Sequence, residues 1–185
     1  VGSEMCIRDR FLRPRASVVR PGGPTREQLM RLRVLAVGQK MPAWVEQGVE
    51  EYARRMPREI PVEWLDIPPA KRGSATPTQY REQEAEAIGA KLRDKDYVVA
   101  LDIEGKAVST EVIAKRFDQW QMQGAQVSLV IGGPDGLHPQ ILNDAQERWS
   151  LGQITLPHPL VRVILAEQLY RAWSVQAGHP YHRGH

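Results

Sequence analysis

From residue 30 onward, short apolar runs closed by glycine, proline or acids alternate with stretches whose apolar residues recur at helical spacing. "LRVLAVG" at 32–38 is an apolar run ended by glycine, the pattern of a buried strand. Residues 42–55 set Trp44, Val45, Val49 and Tyr52 on one helical face, and "VEWLDIP" at 62–68 alternates like a strand with one wetter side. A basic loop of small residues at 70–78 leads into a polar, glutamate-rich helix at 79–93. "YVVALDIEG" at 97–105 predicts a further buried strand, and 109–122 a helix capped by Ser109 or Thr110. The most apolar strand, "VSLVIGGPDG" at 127–136, runs into a glycine-rich turn. A helix at 139–147, a short strand "QITL" at 153–156 and a long helix from Pro159 complete the pattern.

Strands of β-branched residues alternating with helices predict an α/β fold: a mainly parallel sheet with helices on both faces, in one domain over 30–185. Such sheets bind ligands at the carboxyl ends of their strands, here "LDIEG", "IGGPDG" and "LPHP". From Leu160 to Trp173 apolar residues occupy almost every helical face, which predicts burial against the sheet and against a second subunit.

Residues 1–29 lack this periodicity and read as a non-native or disordered extension, without the apolar core of a secretory signal. They change the charge argument. The chain's 25 basic and 22 acidic residues give +3, but this segment holds six arginines and three acids, so the remainder balances at 19 of each. The overall charge is therefore no argument for nucleic-acid binding. Its distribution is more informative: residues 148–185 carry four Arg and four His against one acid, Glu167, which predicts that a polyanion docks near that end. A single cysteine, Cys6, excludes an internal disulfide and fits a reducing, cytoplasmic setting. No apolar run reaches the ~18 residues of a membrane-spanning helix.

"IGGPDG" taken alone is ordinary turn chemistry, and it matches neither the dinucleotide nor the P-loop pattern. Zinc spacing is missing, so no metal is expected. His158 stands between Pro157 and Pro159 in a stiff loop, where a histidine is more often structural than catalytic. The tail "HPYHR" brings His179, Tyr181, His182 and Arg183 within five residues. "PAKRG" at 69–73 is by default a solvated loop, and Lys71 and Arg72, with Arg162, are the candidate contacts to an RNA backbone.

Together, "LRVLAVGQKMPAWVEQGVEEYARRMP", "IPPAKRG", "LDIEGK", "SLVIGGPDGL" and "TLPHPLVRVILAEQLYRAWSVQAGHPYHR" resemble the RlmH family. These are the large-subunit ribosomal RNA pseudouridine N3-methyltransferases, a minimal branch of the SPOUT superfamily. The resemblance covers residues 30–183; the extension before Met30 has no family counterpart, and family tails stop about one residue after the arginine, whereas this chain adds Gly184 and His185. It implies an α/β methyltransferase with a SPOUT-type deep trefoil knot in its C-terminal part. It implies S-adenosyl-L-methionine as cofactor, held by Leu101, Gly132 and the segment Leu151, Gly152, Gln153, Ile154, Thr155 and Leu156. Gly132 would be where backbone approaches the ligand, so a side chain there should weaken cofactor binding and leave the fold largely intact.

The resemblance further implies a cytoplasmic homodimer whose sites draw on both protomers, acting on 23S ribosomal RNA within the large subunit or the 70S ribosome. Tyr181, His182, Arg183 and His158 are then the catalytic candidates. The weakly acidic imide at N3 must lose a proton, which Tyr181 or His182 would relay, while Arg183 would stabilise the developing oxyanion. Two other readings stand beside this one: a non-catalytic ribosome-binding or assembly factor, and a SPOUT methyltransferase acting on transfer RNA.

Overall fold

The structure is a computed structural model that describes residues 30–183. The extension at 1–29 with its Cys6, and the terminal Gly184 and His185, lie outside the described residues. The elements run β1 (Arg31–Val37), α1 (Ala43–Ala53), β2 (Val62–Ile67), α2 (Pro77–Gly89), β3 (Tyr97–Ala107), α3 (Thr110–Gln123), β4 (Gln126–Ile131), α4 (Pro139–Asp144), β5 (Glu147–Ser150), α5 (His158–Gln176) and a 3-10 turn at Pro180–Arg183.

The five strands form one sheet in the order β2-β1-β4-β3-β5, and every pairing is parallel. Successive side chains of a strand point to opposite faces, so β1 feeds two cores. Leu32, Val34 and Ala36 join Phe117 and Trp120 of α3 and Leu165 and Leu169 of α5. Leu35 and Val37 join Ile88 of α2 and Ile141 of α4. A sheet buried on both faces requires near-continuous apolar strands, which is why β1 and β4 lack polar alternation.

At the amino end of the sheet, a polar cluster interrupts the apolar interior. The buried Arg33 donates from Nη1 to Asp96 Oδ2 at 3.0 Å and from Nη2 to the Lys91 carbonyl at 2.9 Å. Ser128 Oγ and the Arg93 N–H also donate to Asp96 Oδ2, at 2.8 and 3.1 Å.

Several boundaries differ from the sequence pattern, and three of the differences have a visible cause. The last strand is not "QITL" but Glu147–Ser150, just before it, and 153–156 are irregular. Trp149 supplies the reason: it is buried and stacks on Trp120 at 5.7 Å, which anchors its own segment beside β3. Helix α4 stops at Asp144 because Ala145 turns extended and Gln146 clips to Val98 through both its backbone N–H and its side chain. Helix α2 begins two residues early, since Thr76 and Gln79 form a reciprocal capping box with Pro77 in the first turn.

The route into α5 positions the site. From β5 at the sheet edge, residues 151–157 pass the carboxyl ends of β3 and β4, and α5 starts beside β4 and β1. Helix α1 packs closely on α5 at Gly48, where a Cβ would stand only 3.1 Å from Val163.

Candidate active site

A cavity of about 740 Å3 opens at the carboxyl edge of the sheet. Its floor is the ends of β3 and β4, and its far wall is the 151–157 segment. Of the cofactor candidates, Leu101, Gly132, Leu151, Gly152, Ile154, Thr155 and Leu156 line it, and Gln153 does not. Asp102, Glu104 and Asp135 add three acids that sequence reasoning did not single out. The rule that ligands sit at parallel-strand ends was the signal that would have found them. A second hollow of about 380 Å3, between α2 and α4, contains none of the candidate residues.

The glycine turn is built differently from expectation. A Cβ on Gly132 would stand 2.8 Å from the backbone of Gly136 and 3.0 Å from Leu137, so the glycine is required by the turn's own closure. Gly136 donates its N–H to the Gly133 carbonyl at 3.0 Å, closing the loop. The expectation that a side chain at Gly132 spares the fold is therefore corrected. Gly132→Val is expected to lower Tm as well as cofactor binding; an unchanged Tm by differential scanning calorimetry would contradict this packing. The positions open to a ligand are Gly136, at φ +80, and Gly152, at φ +139, where a Cβ meets nothing within 4 Å.

His158 lines the cavity with both ring nitrogens engaged. A carbonyl only accepts, so Nδ1–H donates to the Gly132 oxygen at 2.9 Å. The ring is then free to accept at Nε2, where Arg162 Nε donates at 3.1 Å. Burial, and after it the Arg162 charge, lower the His158 pKa, so the ring is neutral at physiological pH. Held this way, it has no lone pair left for a substrate proton.

Arg162 is a correction to the sequence reading, which placed it among RNA contacts. Its side chain is 6% exposed and donates from Nη1 to Asp66 at 2.6 Å and from Nη2 to the carbonyls of Ala36 and Gly38 at 3.2 and 3.1 Å. With its donors directed inward, it has none to offer a phosphate.

Lys71 and Arg72 do lie at the surface, on the loop after β2. Arg72 pairs with Asp135 at 2.5 Å and lies 4.4 Å over the Tyr80 ring, whose hydroxyl both donates to and accepts from Gly73 at 2.9 Å. Glu84, 3% exposed, accepts from the Ala70 N–H at 3.1 Å and faces Gly133. The basic loop is thus hooked to the glycine turn of the cavity.

The tail sits elsewhere. Tyr181 packs edge-on to Tyr170 at 4.7 Å and donates its hydroxyl to Glu167 at 3.1 Å, while Arg171 lies over its ring at 4.9 Å. Glu167 is nine residues past His158 on α5, about 14 Å along the axis at 1.5 Å per residue. None of Tyr181, His182 or Arg183 lines the cavity of its own chain. Burial, then hydrogen bonding to Tyr52, pushes the Tyr181 phenol up, so it stays protonated.

The predicted basic end is largely neutralised. Arg148 pairs with Asp102, Arg162 with Asp66 and Arg171 with Glu167, each at 2.6 Å; of the four arginines at this end, Arg183 alone is exposed without an ion pair among the described residues. Among those residues no group of three or more His, Cys, Asp or Glu is placed to hold a metal, and no helix is long and apolar enough to cross a membrane.

The cavity has the size and mixed lining of a small-molecule site. Its volume lies in the ordinary ligand range of about 300–1,000 Å3. Ile103 and Ile154, 73% and 78% exposed, offer uncovered apolar surface along it, and Glu104, unlike the arginine-paired Asp102 and Asp135, has no ion pair among the described residues. Open backbone at Gly136 and Gly152 is available to polar ring atoms.

Residues 30–182 match the family described as "Predicted SPOUT methyltransferase". A protein of Chromohalobacter salexigens is 54% identical over 155 residues, spanning 83% of this chain and 100% of that protein. Proteins of Hahella chejuensis (51% identical, 83% and 99% covered) and Acidithiobacillus ferrooxidans (53% identical, 84% and 98% covered) are similar. All three are named ribosomal RNA large subunit methyltransferase H. A solved structure described as a probable methylase family protein from Haemophilus influenzae Rd KW20 covers 85% of this chain and 71% of its own, with a TM-score of 0.49 and 11% identity.

Proposed function

The chain belongs to the SPOUT methyltransferases, in the family of ribosomal RNA large subunit methyltransferase H, and from that premise we propose that it methylates N3 of a pseudouridine in 23S ribosomal RNA as a cytoplasmic homodimer. The observation that carries this reading is the cavity formed where the 151–157 segment crosses the glycine turn, beside a fixed His158. The crossing of β3 and β4 ends by that segment supports the family's trefoil knot.

S-adenosyl-L-methionine supplies a methyl group made electrophilic by its sulfonium. The chain's own residues bind and orient. Leu101, Leu151 and Leu156 give apolar walls, the turn at Gly132 gives backbone groups, and Glu104, which has no ion pair among the described residues, favours the cationic end. Fixing both reactants removes an entropic barrier of several kcal/mol (about 7–11 at best) before any proton moves. His158 is occupied, which leaves the proton of N3 to the tail. Tyr181 in its docked state is a neutral phenol, so it serves as donor or positioning group, and His182 is the group able to accept. Arg183, exposed and unpaired among the described residues, is the cation available to an oxyanion or phosphate.

None of these tail groups lines its own chain's cavity, and Tyr181 docks at Glu167, about 14 Å along α5 from His158, which supports a dimer in which each tail serves the partner's site. Exposed apolar side chains on the helices of that face, Trp44 of α1 (53% exposed), Val112 of α3 and Val175 of α5, support the same pairing. Lys71 and Arg72 are proposed as phosphate contacts, Arg72 leaving Asp135 to make them.

The test is mass spectrometry of ribosomal particles and transfer RNA incubated with the protein and isotopically labelled cofactor. Label on a 23S pseudouridine is expected. Label on transfer RNA alone would replace the substrate, and cofactor binding by calorimetry with no transfer to either would favour a non-catalytic ribosome factor.

A further inference from the structure

Arg162 is the one charged residue of α5 that is buried, and the reason lies in what it joins. Its guanidinium meets four groups on three segments: His158 one turn back on α5, Asp66 at the end of β2, and the carbonyls of Ala36 and Gly38 at the end of β1. His158 extends the connection to the Gly132 carbonyl at the end of β4. Gly38, at φ +129, gives way to this packing: a Cβ there would stand 3.3 Å from both Arg162 Nη2 and His158 Nε2. A buried guanidinium is costly unless its donors are matched, and here they are matched by groups at the cofactor edge of the sheet.

We propose that Arg162 is a positioning residue for the cofactor, acting through His158 to hold the Gly132 turn and the start of α5 in binding geometry, and that a proton on the imidazole releases this hold. The neutral ring accepts from Arg162 at Nε2; an imidazolium has no acceptor and turns a second N–H toward a guanidinium. The charged groups that bear on the ring are Arg162 from its own helix and Asp66 from the end of β2, while the β1 and β4 ends present the backbone of Gly38 and Gly132. Burial and Arg162 lower the ring's pKa from its ordinary 6.5, and Asp66 opposes them. The neutral, intact state is therefore complete above that ordinary value and is lost as pH falls through the lowered one.

The inference rests on the proposed cofactor, and the experiment separates the two. Calorimetric titration of the full chain with S-adenosyl-L-methionine is expected to show affinity that is level in alkaline buffer and falls on the acid side of 6.5. Arg162→Gln should weaken binding about tenfold in alkaline buffer, the scale of one charge-assisted hydrogen bond, and should move the acid fall to higher pH. NMR titration of the His158 ring in ligand-free protein should move the same way. His158→Gln retains one donor and one acceptor, so it should bind more tightly than His158→Ala and show no acid fall. An acid fall unchanged in either Gln variant would overturn the proposal, and His158→Gln decides if Arg162→Gln does not fold. Binding that is level with pH in the unmodified chain overturns this inference and leaves the methyltransferase reading standing, whereas absence of binding overturns both.

Discussion

Cutting the chain after Gly178 is expected to leave a folded protein that binds S-adenosyl-L-methionine and transfers no methyl group. The cut removes Tyr181, His182 and Arg183, which touch α5 and not the cavity. It also removes His179, so its structural cost is the packing of the Tyr181 and His179 rings on Tyr170 and Trp173, about 0.5–1.5 kcal/mol per ring pair, with the Tyr181–Glu167 hydrogen bond; these contacts lie outside the sheet core. Arg183→Ala alone should cost about 1.5–3 kcal/mol in kcat/KM, the loss of one charge-assisted hydrogen bond in the transition state. Single-turnover methylation of ribosomal particles reads both effects, and a normal rate from the truncated chain would remove the tail from the mechanism. Mixing adds a sharper arm. Thr155 is exposed and lines the cavity, so Thr155→Trp should block the pocket without disturbing the core. If each tail serves the partner, mixed dimers of truncated and Thr155→Trp chains regain one working site in which the truncated chain supplies the pocket. If each site is built within one chain, the mixture stays inactive.

Asp96→Ala should be the most damaging single change at the opposite end of the sheet. Its side chain is 1% exposed and collects hydrogen bonds from Arg33, Ser128 and the Arg93 backbone. Removing it leaves the Arg33 guanidinium, 6% exposed, with the neutral Lys91 carbonyl and, as its one charged partner among the described residues, the Glu63 carboxylate 3.5 Å away at the surface. Breaking a buried pair from one side costs about 3–5 kcal/mol, because an uncompensated charge remains. Urea unfolding at fixed protein concentration should show that loss. Replacing both partners, as Arg33→Met with Asp96→Leu, should recover much of it, since no charge then stays buried. A loss under about 1 kcal/mol for Asp96→Ala would mean that water reaches Arg33 and that the cluster is not sealed.

Much of the fold was legible because its signals are local. Apolar runs such as 32–38 and 127–131 are long enough, and β-branched enough, to declare buried strands without knowing their neighbours. The cap of α3 depends on residues within one turn: the pattern narrowed it to Ser109 or Thr110, and Ser109 holds it. The cap of α2 was local too, but Thr76 and Pro77 were taken as loop, and the helix was begun late. "QITL" misled for a different reason: its alternation is strand-like, yet the place beside β3 was taken by the segment that carries Trp149, whose partner Trp120 lies 29 positions earlier. A competition between adjacent segments for one edge is decided by packing, not by pattern.

The site divides along the same line. Glycine and proline marked the turns at 132–136 and 157–159, because turn chemistry belongs to the residues themselves, and that sufficed to locate the carboxyl-edge cavity. The amino-acid sequence by itself determined the order of elements, the parallel sheet and the segments that meet at its edge. The family resemblance carried by its ordered motifs identified the methyltransferase. Charge was another matter. Arg148, Arg162 and Arg171 read alike along the chain, but Arg162 reaches Asp66, 96 residues away, and Arg148 reaches Asp102, 46 away. Whether such a cation is spent inside or offered to RNA depends on which carboxylates the folded chain brings near it. Only the tertiary structure decided that His158 is locked between Gly132 and Arg162, that Gly132 serves its own turn, and that the tail lies away from its own cavity. These are long-range pairings, and a chain reveals them only once the entropy of closing its loops has been overcome by burial.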